Sequence, residues 1–442
     1  MPKSDKIIVV GAGFTGLSLA YDLALAGRNV LVLESMNVVG GLAGTFEVEG
    51  QRLEKFYHHW FTNDVHVMGL IHDLGRGDRV RFRDTLTGVY YGNKFFKLSR
   101  PIDLLQFKPL SFIGRIRLGL LAIRVRFVRD WMRLETVSAT DWLKEMAGEE
   151  VYRVVWEPLL RGKFGDAASE VSAVWMWNKL KLRGGSRGKK GAEQLAYYQG
   201  GFGRLLDDLV DGIRLHGGNV FTDSKVKGVD VQNGKVIGVR TDHGSYFAEN
   251  VVVTTPLPIA ADLLAPHISP VSLKKLQRIK YLANICIVLE LDRSLSETYW
   301  LNVNDPSFPF VAVIEHTNFE DKDLYGGRRI IYLSKYLPEN AELFQMSDGE
   351  AVSYAVSHLK RMFPEFDFEW ILKASVWRGQ YSQPIVEKNY SKLIPKQETE
   401  VKGLYINTMA QIYPEDRGTN YAIREGRAMA RRLLEKETSN EK

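Results

Sequence analysis

KIIVVGAGFTGLSLAYDLALAGRNVLVLES, residues Lys6 to Ser35, carries the reading of the whole chain. Ile7 to Val10 form a short β-branched run of the kind that makes a buried parallel strand. Gly11, Gly13 and Gly16 follow at once in GxGxxG spacing, and Leu17 to Ala26 continue as an Ala/Leu-rich helix that stops at Gly27. A second β-rich run, Val30 to Leu33, ends in Glu34, about twenty residues past the glycines. Gly11 makes the tight turn, Gly13 lets the backbone approach a pyrophosphate, and Gly16 lets helix and strand pack closely. The helix N-terminus, with Phe14 and Thr15 inside the glycine run, holds the phosphates. Glu34, followed by Ser35, is placed to accept hydrogen bonds from ribose hydroxyls, and its charge opposes the 2′-phosphate of NADP. The run is a βαβ dinucleotide fingerprint, and the fold class it sets is α/β with a Rossmann-type sheet.

At 442 residues the chain exceeds one ordinary core, so two domains are expected. With 45% hydrophobic and 25% charged residues it is globular in composition, and only the polar tail after Leu434 reads as disordered. A net charge of +6 and a pI near 9.0 favour anionic partners such as nucleotides, phosphates or an anionic membrane surface, while no nucleic-acid motif is present. Cys286 is the one cysteine and lies in the apolar run NICIVLEL, which excludes an intramolecular disulfide and a thiolate metal cage and marks it as a core residue. The N-terminal MPKSDKIIVV enters the first strand without a signal-peptide core, so a cytoplasmic protein is expected. No charge-free apolar run approaches the roughly twenty residues that span a bilayer. Peripheral membrane contact stays open.

After Glu34 a second glycine loop contains Gly40, Gly41 and Leu42, and Thr45 to Arg52 reads as a hairpin. It leads into Tyr57-His58-His59-Trp60-Phe61, two histidines among aromatics, read either as packed side chains or as a wall of a cofactor or substrate pocket. A metal site is not expected there, because neighbours on a strand point to opposite faces and no spaced ligands complete a set. Asp64 to Gly75 reads as a helix, and Arg79 to Leu98 as strands with turns at Gly88 and Gly92-Asn93. Ser111 to Arg133 reads as one apolar, arginine-rich helix. Its wheel puts Arg115, Arg126, Arg129 and Arg133 on one face and Arg117 and Arg124 opposite, so there is no single basic stripe. It is either a membrane-surface element or a helix packed on both sides. Around Trp156, Glu157, Arg161, Lys163, Trp175 and Trp177 aromatic and basic residues crowd together, which suits a substrate pocket as well as a core. Arg183 to Gly191 reads as a flexible basic loop.

A return to the first sheet follows: a helix from Arg204 to His216, a strand near Val220, three antiparallel strands between Lys225 and Glu249, and the core strand VVVTTP that includes Thr254. Late in the chain GLYIN gives another core strand, a loop runs through MAQIYPEDRGT, and a helix starts near Asn420, with Asn420 or Thr419 as its N-cap. That helix N-terminus is available to a developing negative charge.

GAGFTGLSLA with Glu34-Ser35, Gly40-Gly41, YHHWF, YYQGGFGRL, VVVTTP and GLYINTMAQIYPEDRGTNYAIREG together resemble the FAD-dependent superfamily of amine oxidases, protoporphyrinogen oxidases, phytoene desaturases and UDP-galactopyranose mutases. WEPLLRGKFGD and YLANICIVLELDRSLSETYWLN look closest to bacterial protoporphyrinogen oxidase-like flavoproteins. The resemblance implies FAD as cofactor and a discontinuous FAD-binding domain of residues 1–75, 195–265 and 400–442. It further implies an inserted α+β substrate domain of residues 76–194 and 266–399. By the same resemblance Gly11, Gly13, Phe14, Thr15, Gly16, Glu34 and Ser35 hold the adenosine diphosphate, and Gly41 and Leu42 the middle of FAD. Val226 then lies by the adenine, and Tyr57, His58, Thr254, Met409, Gly418, Thr419 and Asn420 complete the cofactor set. His58 matches by position a histidine beside the flavin in the mutases, where the motif reads GPHIFHT. Oxidases of the group carry a Gly-Asp pair after the last strand, and Thr408-Met409 replaces it here, which leans toward the mutase pattern.

The expectation is an FAD-dependent oxidoreductase that takes a hydride from a C–H or C–N bond to flavin N5, acting on a small molecule that is lipid-like or phosphorylated. Its candidate catalytic residues are His58, His59, Tyr413 and Arg417, with Trp300 and Trp377 as pocket residues. No second GxGxxG exists for NAD(P)H, so electrons are expected to leave to oxygen, a quinone or another carrier. The rival readings are a mutase-like enzyme acting on a nucleotide sugar without net redox change, and a non-catalytic flavin-bearing subunit at a membrane surface.

Overall fold

The structure, a computed structural model, describes residues 6–98, 101–185 and 193–440. Its centre is a five-stranded sheet in the order Asn219–Phe221, Asn29–Leu33, Lys6–Val10, Asn250–Val253 and Leu404–Ile406, every pair parallel. Side chains alternate strictly across it. Ile7, Val9, Val30, Val32 and Val252 pack against helices Phe14–Leu25, Gly201–Leu215 and Thr419–Asn440. Ile8, Val10, Leu31, Leu33, Val251 and Val253 pack the other way, toward Val229, Val236 and Val239 of a three-stranded antiparallel layer, Val226–Gln232, Lys235–Thr241 and Gly244–Phe247. A sheet buried on both faces requires the near-continuous β-branched runs that its strands carry.

A mixed seven-stranded sheet takes strands Thr87–Tyr91 and Lys94–Lys97 from before residue 98, and Tyr281–Leu291, Trp300–Val303, Ala312–Glu315, Arg329–Leu337 and Ile371–Pro384 from after residue 280. Only Trp300–Val303 and Thr87–Tyr91 run parallel, and helix Asp348–Met362 covers the core of this sheet. Trp60–Phe61, Gln194–Tyr198 and Val80–Asp84 form a small antiparallel sheet. Between these sheets the buried Glu54 carboxylate accepts from Tyr197 Oη at 2.7 Å and from the Phe202 N–H at 2.6 Å, and burial pushes it up to about 7.

Several expectations change. The arginine-rich segment is one helix only from Phe112 to Arg124, capped by Ser111, whose Oγ accepts from the Gly114 N–H at 3.0 Å. It tightens into the turn Val125–Phe127, where the Trp177 indole donates to the Val125 carbonyl, and the chain is extended by Val128. Nor is the helix packed on both sides, because Leu118 and Leu121 are buried while Phe112 and Ile116 are exposed. Gly88 lies inside a strand and makes no turn. The C-terminal helix continues to Asn440, past the point where the sequence turns polar. Most of the basic loop from Arg183 to Gly191 lies outside the described residues.

The first and last helices touch at Gly426, where any Cβ would collide with the Thr15 carbonyl and Ser18. Gly426→Ala is expected to lower stability by about 1–3 kcal/mol. By contrast Gly69, with open space around it inside helix Val65–Asp73, should gain about 0.5–1 kcal/mol as alanine. Urea denaturation of both variants checks the pair, and equal stabilities would remove the close-contact argument.

Candidate active site

At the nucleotide end Gly11 adopts φ +106°, and a Cβ there would stand 2.8 Å from Thr254 Oγ1. That hydroxyl donates to the Val10 carbonyl at 2.9 Å and braces the turn. Any Cβ on Gly16 would collide with the Gly11 carbonyl, so helix and loop meet through backbone alone. The helix begins at Phe14 with Gly13 as a cap that offers no side chain, and its first internal bond is from the Leu17 N–H to the Gly13 carbonyl. The N–H groups of Phe14, Thr15 and Gly16 precede it and lack intrahelical acceptors. The Phe14 ring points inward, edge-on to Phe202 at 6.1 Å, so only its backbone serves the site.

Glu34 is buried at the end of its strand. Its Oε2 accepts from the Ala12 N–H at 2.8 Å, and its Oε1 accepts from the Met36 N–H at 3.0 Å and from Ser35 Oγ at 3.1 Å. One carboxylate therefore ties both strand ends to the glycine loop. The Ser224 N–H, close to Val226, donates to the Glu34 carbonyl. In the second loop the Gly40 N–H donates to the Ala12 carbonyl at 2.8 Å, and a Cβ on Gly41 would lie 3.7 Å from Gly13 Cα. The two loops thus face each other, with Leu42 in the short turn Gly41–Ala43 that follows.

The other end is built on Tyr57 to Trp60. The His58 Nδ1 lies 2.6 Å from the Phe56 carbonyl. A carbonyl can only accept, so Nδ1 carries the proton and Nε2 has a free lone pair in the neutral ring. Burial lowers this imidazole to about 4, so it is neutral at pH 7, and its ring lies 5.1 Å from Phe202. His59 sits 2.9 Å from Tyr299 Oη, edge-on to Trp300, and burial holds it at about 4 as well. Tyr57 is also edge-on to Trp300, at 4.9 Å, and its N–H donates to the Cys286 thiol, which burial pushes up out of reactive range. Trp377 lies apart from this wall, against Phe46 and under the Lys55 ammonium.

The loop before the C-terminal helix closes the site, though not by the expected caps. Thr419 Oγ1 accepts from the Trp60 indole at 2.8 Å. Asn420 Oδ1 accepts from the His66 and Val67 N–H groups at 2.9 and 3.1 Å, at the start of helix Val65–Asp73. Both side chains are thus turned to neighbouring segments and not to their own helix. A Cβ on Gly418 would meet nothing within 4 Å. Met409 begins a single turn, Met409–Gln411, after the last strand.

Arg417 is the hub of the interior. Its Nε donates to Gln383 Oε1 at 3.2 Å and its Nη2 to Tyr336 Oη at 2.7 Å, and its charge bears on Tyr57, His58, Lys163 and Asp416. Asp416 is buried and bonded by Lys179 Nζ at 2.6 Å, with Lys163 Nζ at 3.8 Å. Burial alone would raise the Asp416 carboxyl, but Lys179, Lys163 and Arg417 outweigh it and hold it far below the usual range. Lys163 lies between the Trp175 and Tyr336 rings, at 5.0 and 5.1 Å, and burial lowers its amine to about 7 against the opposing pull of Asp416. Tyr413 is elsewhere. Its hydroxyl donates to Glu135 at 2.6 Å and its ring rests on Trp131 and Tyr390, not on the histidines or Arg417.

The structure therefore brings together His58, His59, Tyr57 and Arg417 from the sequence candidates, separates Tyr413, and adds Lys163, Lys179, Asp416, Tyr336 and Gln383. Lys163 had a signal in the aromatic and basic crowding around Trp156 and Trp175, and Asp416 adjoins Arg417, but nothing in the sequence joined residue 163 to residue 416. No cluster of three or more metal-ligating side chains occurs among the described residues.

The donor set fits a dinucleotide: an uncapped helix N-terminus, two facing glycine loops, a buried acid at the strand end, and a buried Thr255 hydroxyl beside Gly11 with no partner. The family model of flavin-containing amine oxidoreductases matches residues 14–434. A 15-cis-phytoene desaturase of an Oncidium hybrid cultivar is 24% identical over 438 residues, spanning 91% of this chain and 73% of its own. The crystal structure of a putative protoporphyrinogen oxidase from Exiguobacterium sp. 255-15 superposes with a TM-score of 0.76 at 16% identity, covering 98% of this chain and 99% of that one. Reduced UDP-galactopyranose mutase gives 0.75 at 14% identity, covering 97% and 95%. Glycine loop, acid and family agree on FAD as the cofactor, and the chain belongs to the flavin-containing amine oxidoreductase family as an FAD-dependent oxidoreductase.

Proposed function

We propose that the chain oxidises a C–H or C–N bond of a small molecule, the hydride passing from the carbon's C–H bond to flavin N5, using the Arg417 cluster as its substrate-side machinery. FAD, when bound, supplies the two-electron acceptor. The N–H groups of Phe14 to Gly16 would hold the pyrophosphate, Glu34 would accept from the ribose hydroxyls, and the positive pole of the last helix, at Gly418, would be available to the reduced ring. Residues 1–75, 195–265 and 400–442 form the FAD domain in this reading, and 76–194 and 266–399 the substrate domain. In support of it, the five parallel strands come from the first set, and the seven-stranded sheet from the second.

One observation carries the reading: the Lys163 and Asp416 pair set beside Arg417 in the interior, on the side of His58. Loss of a hydride from a carbon bonded to N–H or O–H leaves a proton to be removed, and an amine poised near neutrality suits that task. Lys163 Nζ receives the proton. Asp416, kept ionised by Lys179 and Arg417 while Lys163 is neutral, steadies the ammonium that results. Arg417, fixed by Gln383 and Tyr336, orients the substrate, and the Tyr57, His59 and Trp300 wall excludes water.

The test is anaerobic mixing of the yellow holoprotein with a panel of amines, secondary alcohols and unsaturated hydrocarbons, followed at the flavin band. Bleaching by at least one class supports the reading. If none bleaches the band and a UDP-sugar instead protects reduced flavin from reoxidation, mutase chemistry replaces it. With a bleaching substrate, the reduction rate should rise as pH climbs through about 7, because Lys163 must be neutral to accept a proton. Lys163→Met should flatten that limb and slow reduction about 100-fold at full FAD content. A parent-like pH profile in this variant would exclude Lys163. Since the unfolded chain takes that proton more readily, stability should also decline as pH falls from the ordinary lysine range toward 7. His58→Ala should keep FAD and slow reduction about tenfold through loss of orientation, and an unchanged rate would remove His58 from the site.

A further inference from the structure

Helix Phe112–Arg124 and the turn Val125–Phe127 carry two opposed apolar faces. Gly114, Leu118, Leu121 and Val125 turn into the core. On the other side Phe112, Ile113, Ile116, Leu120, Ile123 and Phe127 stand in solvent, from 40% exposed at Leu120 to 67% at Phe112 and 74% at Phe127. At helical spacing these six fill one arc of about 100°. A contiguous apolar patch on this scale marks a docking surface.

The arginines frame that arc. Arg115 and Arg126 border it on one side, and Arg117 and Arg124 on the other, which is why the sequence showed no single basic stripe. Arg115, Arg124 and Arg126 bond to the carbonyls of Leu110, Met146 and Gly184, which leave their charges standing. Arg117 lies by Glu150, whose carboxylate is bonded to Ser111. Between residues 102 and 133 seven Lys and Arg face two Asp, so this segment holds most of the chain's excess of +6. The acids on this segment and on the helices packed against it include Asp103, Asp130, which pairs with Arg133, Asp141, which accepts from Ser138, Glu145, Glu149, which pairs with Lys144, and Glu150.

We propose that this face seats the protein on an anionic lipid surface, with the six apolar side chains entering the headgroup boundary and the flanking arginines meeting lipid phosphates. An apolar stripe bordered by arginines on both sides is the arrangement of a helix lying in the membrane plane. A second copy is the poorer occupant, since a two-fold contact would set two equally cationic faces against each other. No helix among the described residues is long and apolar enough to cross a membrane, so the attachment is peripheral. The segment continues through Val128 to Asp130 into Trp131 and Glu135, which hold Tyr413 in the loop that precedes the C-terminal helix.

The experiment is flotation of the FAD-loaded full chain with vesicles of phosphatidylcholine alone or with phosphatidylglycerol added, alongside light scattering without lipid. The parent should bind the anionic vesicles at least about tenfold better than the neutral ones, and less as salt rises. Phe112→Ser/Ile116→Ser/Phe127→Ser should lose that binding while keeping its flavin absorbance. Arg124→Gln/Arg126→Gln should lose the preference for phosphatidylglycerol. If the triple variant fails to fold, Phe112→Ser and Phe127→Ser singly give the same reading, since both side chains already stand in solvent. No binding to anionic vesicles, or equal binding by parent and serine variants, overturns the proposal. So does a parent dimer that the serine changes split in the absence of lipid.

Discussion

The contact on which the rest depends is the crossing of the first and last helices at Gly426, where backbone meets the Thr15 carbonyl and Ser18. Because position 426 lacks a side chain, helix Thr419–Asn440 lies directly on helix Phe14–Leu25, and its N-terminal end is delivered to the crevice above the parallel strands. Arg427 reinforces the crossing through Asp22 at 3.0 Å and Asp73 at 2.7 Å. Everything placed by residues 416–420 follows, including the Thr419 bond to Trp60 and the Asn420 bonds to helix Val65–Asp73.

The nucleotide half was open to sequence reasoning because its geometry is local. Gly11, Gly13 and Gly16 must be glycine for reasons confined to a few neighbouring residues, and Glu34 reaches Ala12 across one strand and one helix. The Arg417 cluster was not. Lys163 and Asp416 meet across more than two hundred residues, and neither their types nor their spacing marks the encounter. Only the folding of helix Glu157–Phe164 against strand Arg329–Leu337 brings them together. Tyr413 shows the opposite case. It stands in the right loop by sequence, yet its hydroxyl is committed to Glu135. Periodicity likewise read Ser111 to Arg133 as one apolar helix, which holds only from Phe112 to Arg124, and a single sequence does not say which of two apolar faces meets the core.

Buried charge sets the character of the interior. Isolated, an ionised carboxylate at the depth of Asp416 would be costly, and three cations make it tolerable. Lys163, crowded by Lys179 and Arg417, is the one whose charge yields most readily, so the cluster can exchange a proton without being dismantled. The two neutral histidines differ in kind. Each has one ring nitrogen engaged, by the Phe56 carbonyl or the Tyr299 hydroxyl, and neither is bonded to a carboxylate.

The order of the sheet has a consequence for biogenesis. Its glycine loop is made before the rest of the sheet, its fourth strand only from residue 250, and its fifth strand and the helix that closes the crevice only after residue 403. A nascent chain therefore owns a phosphate-binding loop long before it owns a closed pocket. A pocket closed on all sides exists only once the helix from Thr419 has been made, and a chain cut short before Thr419 would leave the histidine wall and helix Val65–Asp73 without their ties.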